Sequence, residues 1–545
     1  MTAETLTPLV RHRLVRIEAQ ARTDVVVVGA GIAGLIAAAR LVQAGRRVIV
    51  LEANHQVGGL VTSIRRRGFR FDAGCQSFES MGLLFPILER LGLAGRADFH
   101  RVAHRIVGPP SSADHRPGGT FSFDLTDWTT VLDAWAQAEG VSRQQVQRMG
   151  RIIGRVEHAL HVVTERPPPW LLPRHKRLRA WWDALRSVWV IPILALAAGR
   201  DFEALATKVL GNTVLARILG RAGYTRTDLL TVGGFYHAWF RDYWYPKGGT
   251  GAWTDRIACR IEEQGGQIYC KARVTRCVRA DGRWQVTTAR GEQVEAGQVV
   301  WAAAPHRLYD EVLDGVALPN DKFRRGVKRA QPSDPILSLY VGLDVPVSTL
   351  AERMQHRSHI FYFPDEDVHR VVDELDDIHA HRHTWLQLYA PILHEPEMAP
   401  PGKSCMVIQA FSDARWMQRW GLGVETRGDE ARTALYRARK HQVMDGMLAT
   451  ASQLIPELKD KVVYRDLGSP MSIRRFTSNP DGSTIGWAFN PRHGPLGRPF
   501  FSRRTSLAGL YTAGHWYLHP GGVPFAAFQA WMTAGAVLAD CASKT

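Results

Sequence analysis

Paired cysteines are missing from this chain of 545 residues, which contains Cys75, Cys259, Cys270, Cys277, Cys405 and Cys541. These six form no CxxC pair and show no histidine and cysteine spacing of the kind that ligates a metal ion. The sequence therefore predicts neither a metal site nor a disulfide framework, and a reducing cytosolic compartment is the simpler interpretation. An arrangement typical of a nucleophilic triad is lacking as well.

The apolar run that stands out beside basic residues is too short to span a membrane. Residues 188–198 fall far short of the ~20 residues that a spanning helix needs, and Pro192 interrupts them. Residues 1–22 carry arginines but no apolar core of a secretory signal. We therefore expect this first segment to be a mobile or surface-lying lead-in.

Basic residues outnumber acidic residues, 69 to 52, which gives a net charge of +17. This balance is compatible with a nucleic-acid partner, with anionic lipid, or with solubility alone. No nucleic-acid-binding motif accompanies the basic residues, so we expect no such partner. Tryptophans and arginines instead crowd together in residues 167–198. This pattern favours a segment that lies in a membrane interface, and the alternative is a buried helical hairpin with solvated arginines.

A glycine-rich turn near the start of the chain predicts a dinucleotide-binding unit. Residues 24–34 read as a buried valine strand followed by a turn that opens an alanine-rich helix. Gly29 suits the tight turn, Gly31 leaves room for a pyrophosphate, and Gly34 allows the helix to pack closely on the strand. The unpaired N–H groups of the helix N-terminus then face the phosphates.

An acidic residue follows at the expected interval of ~20 residues, at Glu52. Its carboxylate suits a ribose diol and would repel a 2′-phosphate, so FAD or NAD fits better than NADP. The second glycine pair, Gly58 and Gly59, together with residues 68–74, favours FAD over NAD. No second unit of this kind occurs in the chain, so we expect no separate nicotinamide domain.

The last informative block is a strand and turn before a C-terminal helix. Residues 509–513 read as a strand, and residues 514–524 form a glycine and proline turn that opens a helix to about residue 539. Such a turn presents N–H groups and a helix dipole to an anionic acceptor, which in a flavoenzyme is the N1 and O2 edge of the ring. The alternative is an ordinary strand, turn and helix crossover.

The intervening chain predicts a helical stretch over residues 131–236 and then a second group of strands. A turn at residues 245–249 precedes a helix over 251–264 and several short strands that end near residue 304. Further strands are predicted between residues 335 and 411, and a helix is predicted near 425–454. Because the expected partners of the first motif come so late, the cofactor domain is predicted to be discontinuous.

Taken together, these blocks resemble the FAD-dependent phytoene desaturase superfamily, with its carotenoid isomerase and retinol saturase branch, which is related to the flavin amine oxidases. The resemblance covers nearly the whole chain. It is carried by the glycine turn and Glu52, by the Tyr245 turn, and by the strand at Val274. Residues 396–403, 479–487 and 509–524 complete the pattern.

The resemblance implies an α/β fold with a Rossmann-type, GR2-like FAD-binding domain and a mixed sheet-plus-helix substrate domain. The FAD domain is expected in residues 23–105, 241–325 and 470–545, and the substrate and membrane-facing domain in 106–240 and 326–469. The residues expected at FAD are Gly29, Gly31, Ile32, Ala33, Gly34, Glu52, Ala53, Gly58, Gly59, Leu60, Val274, Gly514, His515, Gly522, Val523 and Pro524.

Two positions depart from the pattern of relatives. His515 stands where many of them carry an acidic residue for a ribityl hydroxyl, although a histidine can replace that contact. Leu60 stands where the amine oxidases usually have arginine, which favours the polyene branch. His519, His515 and Lys247 are the candidates for a catalytic polar contact or a proton relay. Each of them has a purely structural alternative.

The resemblance implies an enzyme that acts on carbon–carbon bonds of a hydrophobic isoprenoid or polyene. Desaturation, saturation and cis–trans isomerisation share the scaffold, and the sequence does not separate them. A flavin amine oxidase, with Trp516 and Tyr517 as part of an aromatic cage, and a non-catalytic membrane-associated flavoprotein remain alternatives. We expect a cytoplasmic protein in peripheral membrane contact, with oxygen, a quinone or a partner protein as the electron acceptor.

Overall fold

The computed structural model describes most of the chain. The described residues are 13–18, 21–110, 120–128, 131–133, 141–164, 168–172, 174–213, 216, 219, 228–313, 315–319, 322–364, 385–412, 433–488, 503–517 and 521–542. Most of the predicted lead-in, at residues 1–12 and 19–20, therefore lies outside the described part, and so does His519.

Strands make up two large sheets and two small ribbons. In chain order the strands are β1 (Ala21–Val28), β2 (Val48–Leu51), β3 (Ser63–Arg66), β4 (Phe69–Asp72), β5 (Phe99–Arg101), β6 (His104–Pro110), β7 (Thr120–Asp124), β8 (Trp244–Pro246), β9 (Gln267–Tyr269), β10 (Val274–Ala280), β11 (Arg283–Thr288), β12 (Gln293–Trp301), β13 (Ile336–Leu343), β14 (His359–Tyr362), β15 (Leu386–Tyr389), β16 (Ser404–Phe411), β17 (Val462–Gly468) and β18 (Leu510–Thr512).

The helices pack around these sheets. Those of seven residues or more in the described part are α1 (Ile32–Gln43), α2 (Met81–Leu91), α3 (Arg143–Thr164), α4 (Arg174–Arg186), α5 (Val190–Ala197), α6 (Phe202–Leu210), α7 (Leu229–Arg241), α8 (Gly249–Glu263), α9 (Lys322–Arg329), α10 (Val347–Arg353), α11 (Ala434–Ala451), α12 (Pro470–Thr477) and α13 (Val523–Ala542).

The first sheet has β1 near its centre. Its strands run in the order β10-β11-β12-β1-β2-β9, and β18 pairs with the end of β12. β1 is parallel to both β12 and β2. Val25 and Val27 enter one hydrophobic core with α1 and α13, whereas Val26 and Val28 enter another on the opposite face. The continuous valine run is thus explained by burial of both faces of the strand.

The second sheet runs in the order β17-β13-β16-β15-β14-β6-β7, and all pairs are antiparallel except β14 with β6. β13 and β16 at its middle are almost entirely buried. α11 packs its buried side chains into the core of this sheet. The helices α3, α6 and α7 form a separate core with the outer strands.

Helix α13 is long and apolar enough to cross a membrane by length and composition. It packs against α1 and α2, and its inner side chains belong to the first core, so packing within the protein accounts for its composition. The helices α4 and α5 are long and apolar enough to cross a membrane only when they are counted together as one span, and the chain bends by 60° between them.

The α/β fold class and the order of elements agree with the sequence analysis. The predicted helix over 251–264 is α8, and the predicted C-terminal helix is α13. The helix predicted near 425–454 is observed as Ala434–Ala451, with residues 425–432 outside the described part. Strands of the first sheet lie in the segments predicted for the FAD domain. The exact domain bounds stay a prediction.

Candidate functional site

One continuous cavity of about 710 Å³ connects the two sheets. At one end its wall is formed by the glycine turn after β1, by the end of β2 and by the start of α13. At the other end the wall is formed by β14, β15 and the helices α3, α5 and α7. The first end is rich in backbone groups of the glycine turns, and the second is lined mainly by apolar side chains.

The three glycines of the first turn meet three different constraints. Gly29 has φ +99°, a conformation that a residue with a side chain rarely adopts. A Cβ atom on Gly34 would lie 1.8 Å from the carbonyl oxygen of Gly29, so only glycine fits there. A Cβ on Gly31 would meet nothing within 4 Å, because this position faces the cavity. The open space beside Gly31 at the N-terminus of α1 fits a pyrophosphate.

Glu52 at the end of β2 borders the same space. Its Oε2 accepts a hydrogen bond of 2.7 Å from the backbone N–H of Ala30, and its Oε1 accepts one of 2.8 Å from the N–H of Asn54. Burial raises the pKa of Glu52, and these hydrogen bonds and the charge of Arg273 oppose the rise. Glu52 is therefore fixed at the cavity wall, where a ribose diol would meet its oxygens.

The second glycine pair packs directly on the first turn. The N–H of Gly58 donates to the carbonyl of Ala30 at 2.8 Å, and a Cβ on Gly59 would lie 3.3 Å from the Cα of Gly31. Both glycines have positive φ and line the cavity. The two turns together thus form one side of the cofactor cleft.

The C-terminal turn closes the cleft from the opposite side. Gly514 has φ +115°, and its N–H donates to Oε1 of Gln529 in α13 at 2.8 Å. A Cβ on Gly521 would lie 1.9 Å from the carbonyl oxygen of Ile485, and a Cβ on Gly522 would lie 2.7 Å from Oε1 of Glu79. The described part of the turn before α13 is therefore tightly packed.

His515 follows Gly514 and lines the cavity. Its Nε2 is buried and has no hydrogen-bond partner among the described residues. Burial lowers the pKa of His515 to about 4, so the ring is neutral at neutral pH and offers one donor and one acceptor. A buried polar atom without a partner indicates a place for a polar ligand group. The cradle of glycines, Glu52 and His515 therefore fits FAD.

Most of the predicted cofactor residues meet at this cavity. Those on its wall are Gly29, Gly31, Ile32, Ala33, Glu52, Ala53, Gly58, Gly59, Leu60, Val274, Gly514, His515, Gly522 and Val523. Gly34 and Pro524 lie behind the wall, within α1 and α13. Lys247 is exposed in the turn after β8 and is not part of the cavity wall, so the structure does not place it near the cofactor cleft.

Several polar side chains at the cleft were missed by the sequence analysis. Asn54 and Arg273 line the cavity beside Glu52, and their positions next to Glu52 and Val274 were available signals. Glu79 also lines the cavity, and burial, with the nearby charge of Asp242, raises its pKa to about 7. The sequence around Glu79 carries no motif, so nothing in it indicated that Glu79 would line the cavity.

The apolar end of the cavity is an aromatic chamber. Its wall includes Phe235, Trp239, Tyr243, Phe361, Trp385, Tyr389 and Phe411. The chamber reaches Leu194 of α5 and Val163 of α3, and Val163 is 46% exposed. The cavity thus extends from the cofactor cleft to the surface near α5.

A small polar group interrupts the chamber wall between α3 and α7. Thr164 Oγ1 lies 3.1 Å from Nε2 of His237, whose Nδ1 lies 3.2 Å from a carboxylate oxygen of Glu157. Burial alone would raise the pKa of Glu157, but His237 and Arg241 lower it. The carboxylate is therefore ionised and paired, and aromatic and aliphatic side chains make up most of the remaining wall at this end.

The described part of residues 167–198 is not a buried hairpin. α4 has no buried residue. Ten of the thirteen large apolar side chains exposed in the described part lie between residues 163 and 196. The alternative of a hairpin inside the substrate domain is therefore wrong, and the apolar side chains stand on the surface beside the mouth of the chamber.

Comparisons with known proteins agree with this cofactor cleft. The sequence profile of the flavin containing amine oxidoreductase family matches residues 32–538. Among curated proteins, the all-trans-retinol 13,14-reductase of Danio rerio is 22% identical to this chain, and the matched region covers 90% of this chain and 82% of the reductase. The lycopene-forming phytoene desaturase of Pseudescherichia vulneris is 27% identical, with 94% and 99% covered. The chloroplastic prolycopene isomerase 1 of an Oncidium hybrid cultivar is 25% identical, with 96% and 85% covered.

Solved structures of the same fold include a wild-type putrescine oxidase bound to putrescine. Its TM-score is 0.58 at 17% identity, with 95% of this chain and 100% of that chain covered. This likeness concerns the fold alone, whereas the sequence profile spans both ends of the cavity wall. The protein therefore belongs to the flavin containing amine oxidoreductase family, and it is an FAD-dependent oxidoreductase related to the phytoene desaturases, prolycopene isomerases and retinol reductases.

Proposed function

We propose that the protein acts on the C–C or C=C bonds of a hydrophobic isoprenoid or polyene lipid, by desaturase-type hydride transfer to the flavin. The observation that supports this most is the continuity of the cofactor cleft with a long aromatic chamber that opens beside exposed apolar helices. The names of the relatives also favour it, since each acts on a retinoid or carotenoid according to its name.

Desaturation of a CH–CH unit removes one hydrogen as a hydride and the other as a proton, and forms a C=C bond. Bound FAD would supply the hydride acceptor. The glycine turns and Glu52 would hold its phosphates and ribose, and the turn at Gly522 would stabilise negative charge at the ring edge. Aromatic side chains such as Trp239 and Phe361 would align the chain of the substrate and exclude water. Positioning is thus the main task of the protein.

Anaerobic reduction of the flavin by candidate substrates tests this proposal. FAD-loaded protein is mixed in detergent or liposomes with a panel of polyenes and, separately, with a panel of amines, and the absorbance of oxidised flavin is followed. We expect bleaching by a polyene and none by amines. Bleaching by amines alone would overturn the proposal in favour of an amine oxidase.

A reduced-flavin isomerase or saturase of the same substrate class is the second candidate. The comparisons favour it to a similar degree, because a reductase, a desaturase and an isomerase are related to this chain at similar identity. Pre-reduced protein incubated with polyenes, with products separated by chromatography, distinguishes these outcomes. A flavin that no substrate oxidises or reduces would instead indicate a non-catalytic flavoprotein.

We also propose peripheral membrane contact through α4 and α5, as expected of a cytoplasmic protein with a lipid substrate. The exposed side chains include Trp181, Trp182 and Leu185, and arginines of the same helix stand among them. Such a surface suits the headgroup boundary of an anionic bilayer. Electrons would leave to oxygen, a membrane quinone or a partner protein, and stopped-flow reoxidation by each acceptor tests this part.

A further inference from the structure

A row of hydrogen bonds leads away from the cavity wall through a buried histidine. Ser77 Oγ, on the wall, lies 3.3 Å from Nε2 of His359. Nδ1 of the same ring lies 2.9 Å from Ser358 Oγ, which lies 2.9 Å from Nε2 of His394. Both ring nitrogens of His359 are therefore engaged, one on each side. An imidazole bonded in this way accepts a proton at one nitrogen while it releases the proton of the other.

The inner end of this row belongs to the chamber. Ser77 is 3% exposed, and the rings of Tyr243 and Tyr389, which pack against His359, also line the cavity. His104 lies beside His359 with a ring distance of 5.0 Å, and neither of its nitrogens has a partner among the described residues. Ser77 and His359 thus provide a hydrogen-bonded exit from a mainly aromatic part of the wall.

The outer end approaches solvent. His394 is partly exposed and stacks on the ring of His100 at 5.1 Å. The Nε2 of His100 lies 2.8 Å from a carboxylate oxygen of Glu395, and 27% of the His100 side chain is exposed. Imidazoles at the surface beside a carboxylate exchange protons readily with water. The row therefore joins the cavity to solvent through the second sheet.

We propose that Ser77, His359, Ser358 and His394 form a proton relay for the reaction in the cavity. The relay rests on the proposed function because C–H desaturation leaves one proton for each hydride transferred. That proton would pass from the chamber to Ser77 and, by a shift of one proton at each link, leave from His394. Saturation would use the same path inward. A lipid in the chamber keeps water out of the mouth, so a path through the wall is needed.

The charge state of the central ring agrees with this role. Burial, together with the charge of His394 when protonated, lowers the pKa of His359 to about 3. Burial and His100 lower the pKa of His394 to about 4. Both rings are neutral at neutral pH, so the row moves protons by exchange of tautomers and holds no fixed charge.

The test needs bound FAD but no substrate. Pre-reduced protein is filled with squalane, a saturated isoprenoid that occupies the chamber without reacting, and is mixed with ferricenium in weakly buffered solution. Two ferricenium ions remove two electrons and no proton, so the proton of the reduced flavin must leave through the protein. Flavin absorbance reports the electrons, and a pH indicator in solution reports the proton.

We expect proton release to keep pace with flavin oxidation in the wild type. In Ser358→Ala, and in His359→Gln, which keeps polar contacts but passes no proton, release should lag at least tenfold behind oxidation. Ser358→Thr keeps the hydroxyl and should behave as the wild type. Ser404→Ala is the matched control, since Ser404 is equally buried but is not on the cavity wall.

Release that keeps pace in both Ser358→Ala and His359→Gln overturns the relay. Two variants with different side chains guard against a folding defect in either one, and their FAD content and thermal unfolding are measured alongside. The proton-release experiment uses no polyene. A negative result in the bleaching experiment therefore counts against the proposed function, and the relay can still be tested independently.

Discussion

Two glycines of one turn, three residues apart, are kept for opposite reasons. Gly34 is enclosed by backbone, whereas Gly31 faces open space in the cavity with φ −70°, which any residue adopts. Packing within the fold accounts for Gly34, and we propose that the ligand accounts for Gly31. Substitution by alanine separates these two requirements.

We expect Gly31→Ala to leave the cofactor-free protein folded and to weaken FAD binding at least tenfold, because the new methyl group occupies the place of the pyrophosphate. Gly34→Ala should lower the unfolding temperature itself, since its Cβ would lie 1.8 Å from the Gly29 oxygen. Thermal unfolding without FAD and titration with FAD measure the two effects. Equal unfolding temperatures for both variants would contradict this division.

Ionisation of Glu79 at the cavity wall is expected to lower the stability of the folded protein. Burial, with the charge of Asp242, raises its pKa to about 7 from about 4.5, so the folded state disfavours its ionised form. Below pH 4.5 Glu79 is neutral in both the folded and the unfolded state and costs no stability. Stability is lost as the pH rises through 7, because the buried carboxyl must then ionise. We expect Glu79→Gln to unfold at higher temperature than the wild type at pH 8, with little difference at pH 5.

The measurement is thermal unfolding of cofactor-free protein at both pH values. Glu89→Gln serves as the control, because Glu89 is an exposed glutamate on the neighbouring helix α2. If Glu79→Gln and Glu89→Gln show the same dependence on pH, the argument about burial at the cavity wall fails.

The helices α4 and α5 are the elements that we expect to contact a membrane. We expect Trp181→Ser with Trp182→Ser to weaken binding to vesicles of anionic phospholipid about tenfold, because the indole rings lose their place at the headgroup boundary. Sedimentation with vesicles at low and high salt measures this, and the arginines of α4 predict weaker binding at high salt. Leu435→Ser is the control, since Leu435 is exposed on α11, away from this segment. Unchanged binding in the tryptophan variant would exclude α4 as the contact.

The elements that the sequence predicted well are those with local patterns. The turn of Gly29 and Gly31, the strand of β1 and the carboxylate of Glu52 lie within one short stretch, and their geometry follows from their spacing. The chamber and the relay have no such pattern. Ser77 and His359 are 282 residues apart, and the pairing of β14 with β6 and β15 brings His359 beside Ser77. Lys247 follows β8 closely in sequence but lies outside the cavity wall, so its catalytic role stays a prediction.

Over the whole molecule, buried neutral histidines set the response to acid. Burial lowers the pKa of His515 and His394 to about 4, that of His359 to about 3, and that of His104 well below its usual value. The contribution of these histidines to stability is therefore fully present above pH 6.5 and is lost as the pH falls through 4, because the unfolded chain binds protons first; Glu79 acts in the opposite direction. Each of these histidines contributes a slope of about 1.4 kcal/mol per pH unit.

Urea unfolding at pH 7, 6 and 5 measures this slope for the cofactor-free protein. We expect the free energy of unfolding to fall as the pH is lowered from 6.5 to 5. In His394→Gln the slope of this fall should be smaller by the contribution of one histidine. A flat profile over this range would show that these rings take up protons without unfolding.

The first sheet is completed by a strand from near the far end of the chain. β18 pairs with β12, and α13 follows it to cover α1. During synthesis, β12 therefore waits with an open edge while the second sheet is being translated, and the cofactor cleft lacks one wall. The cofactor cleft is complete only after residue 522 has been synthesised, and a pause before that point leaves an unpaired strand edge exposed to aggregation or to chaperones.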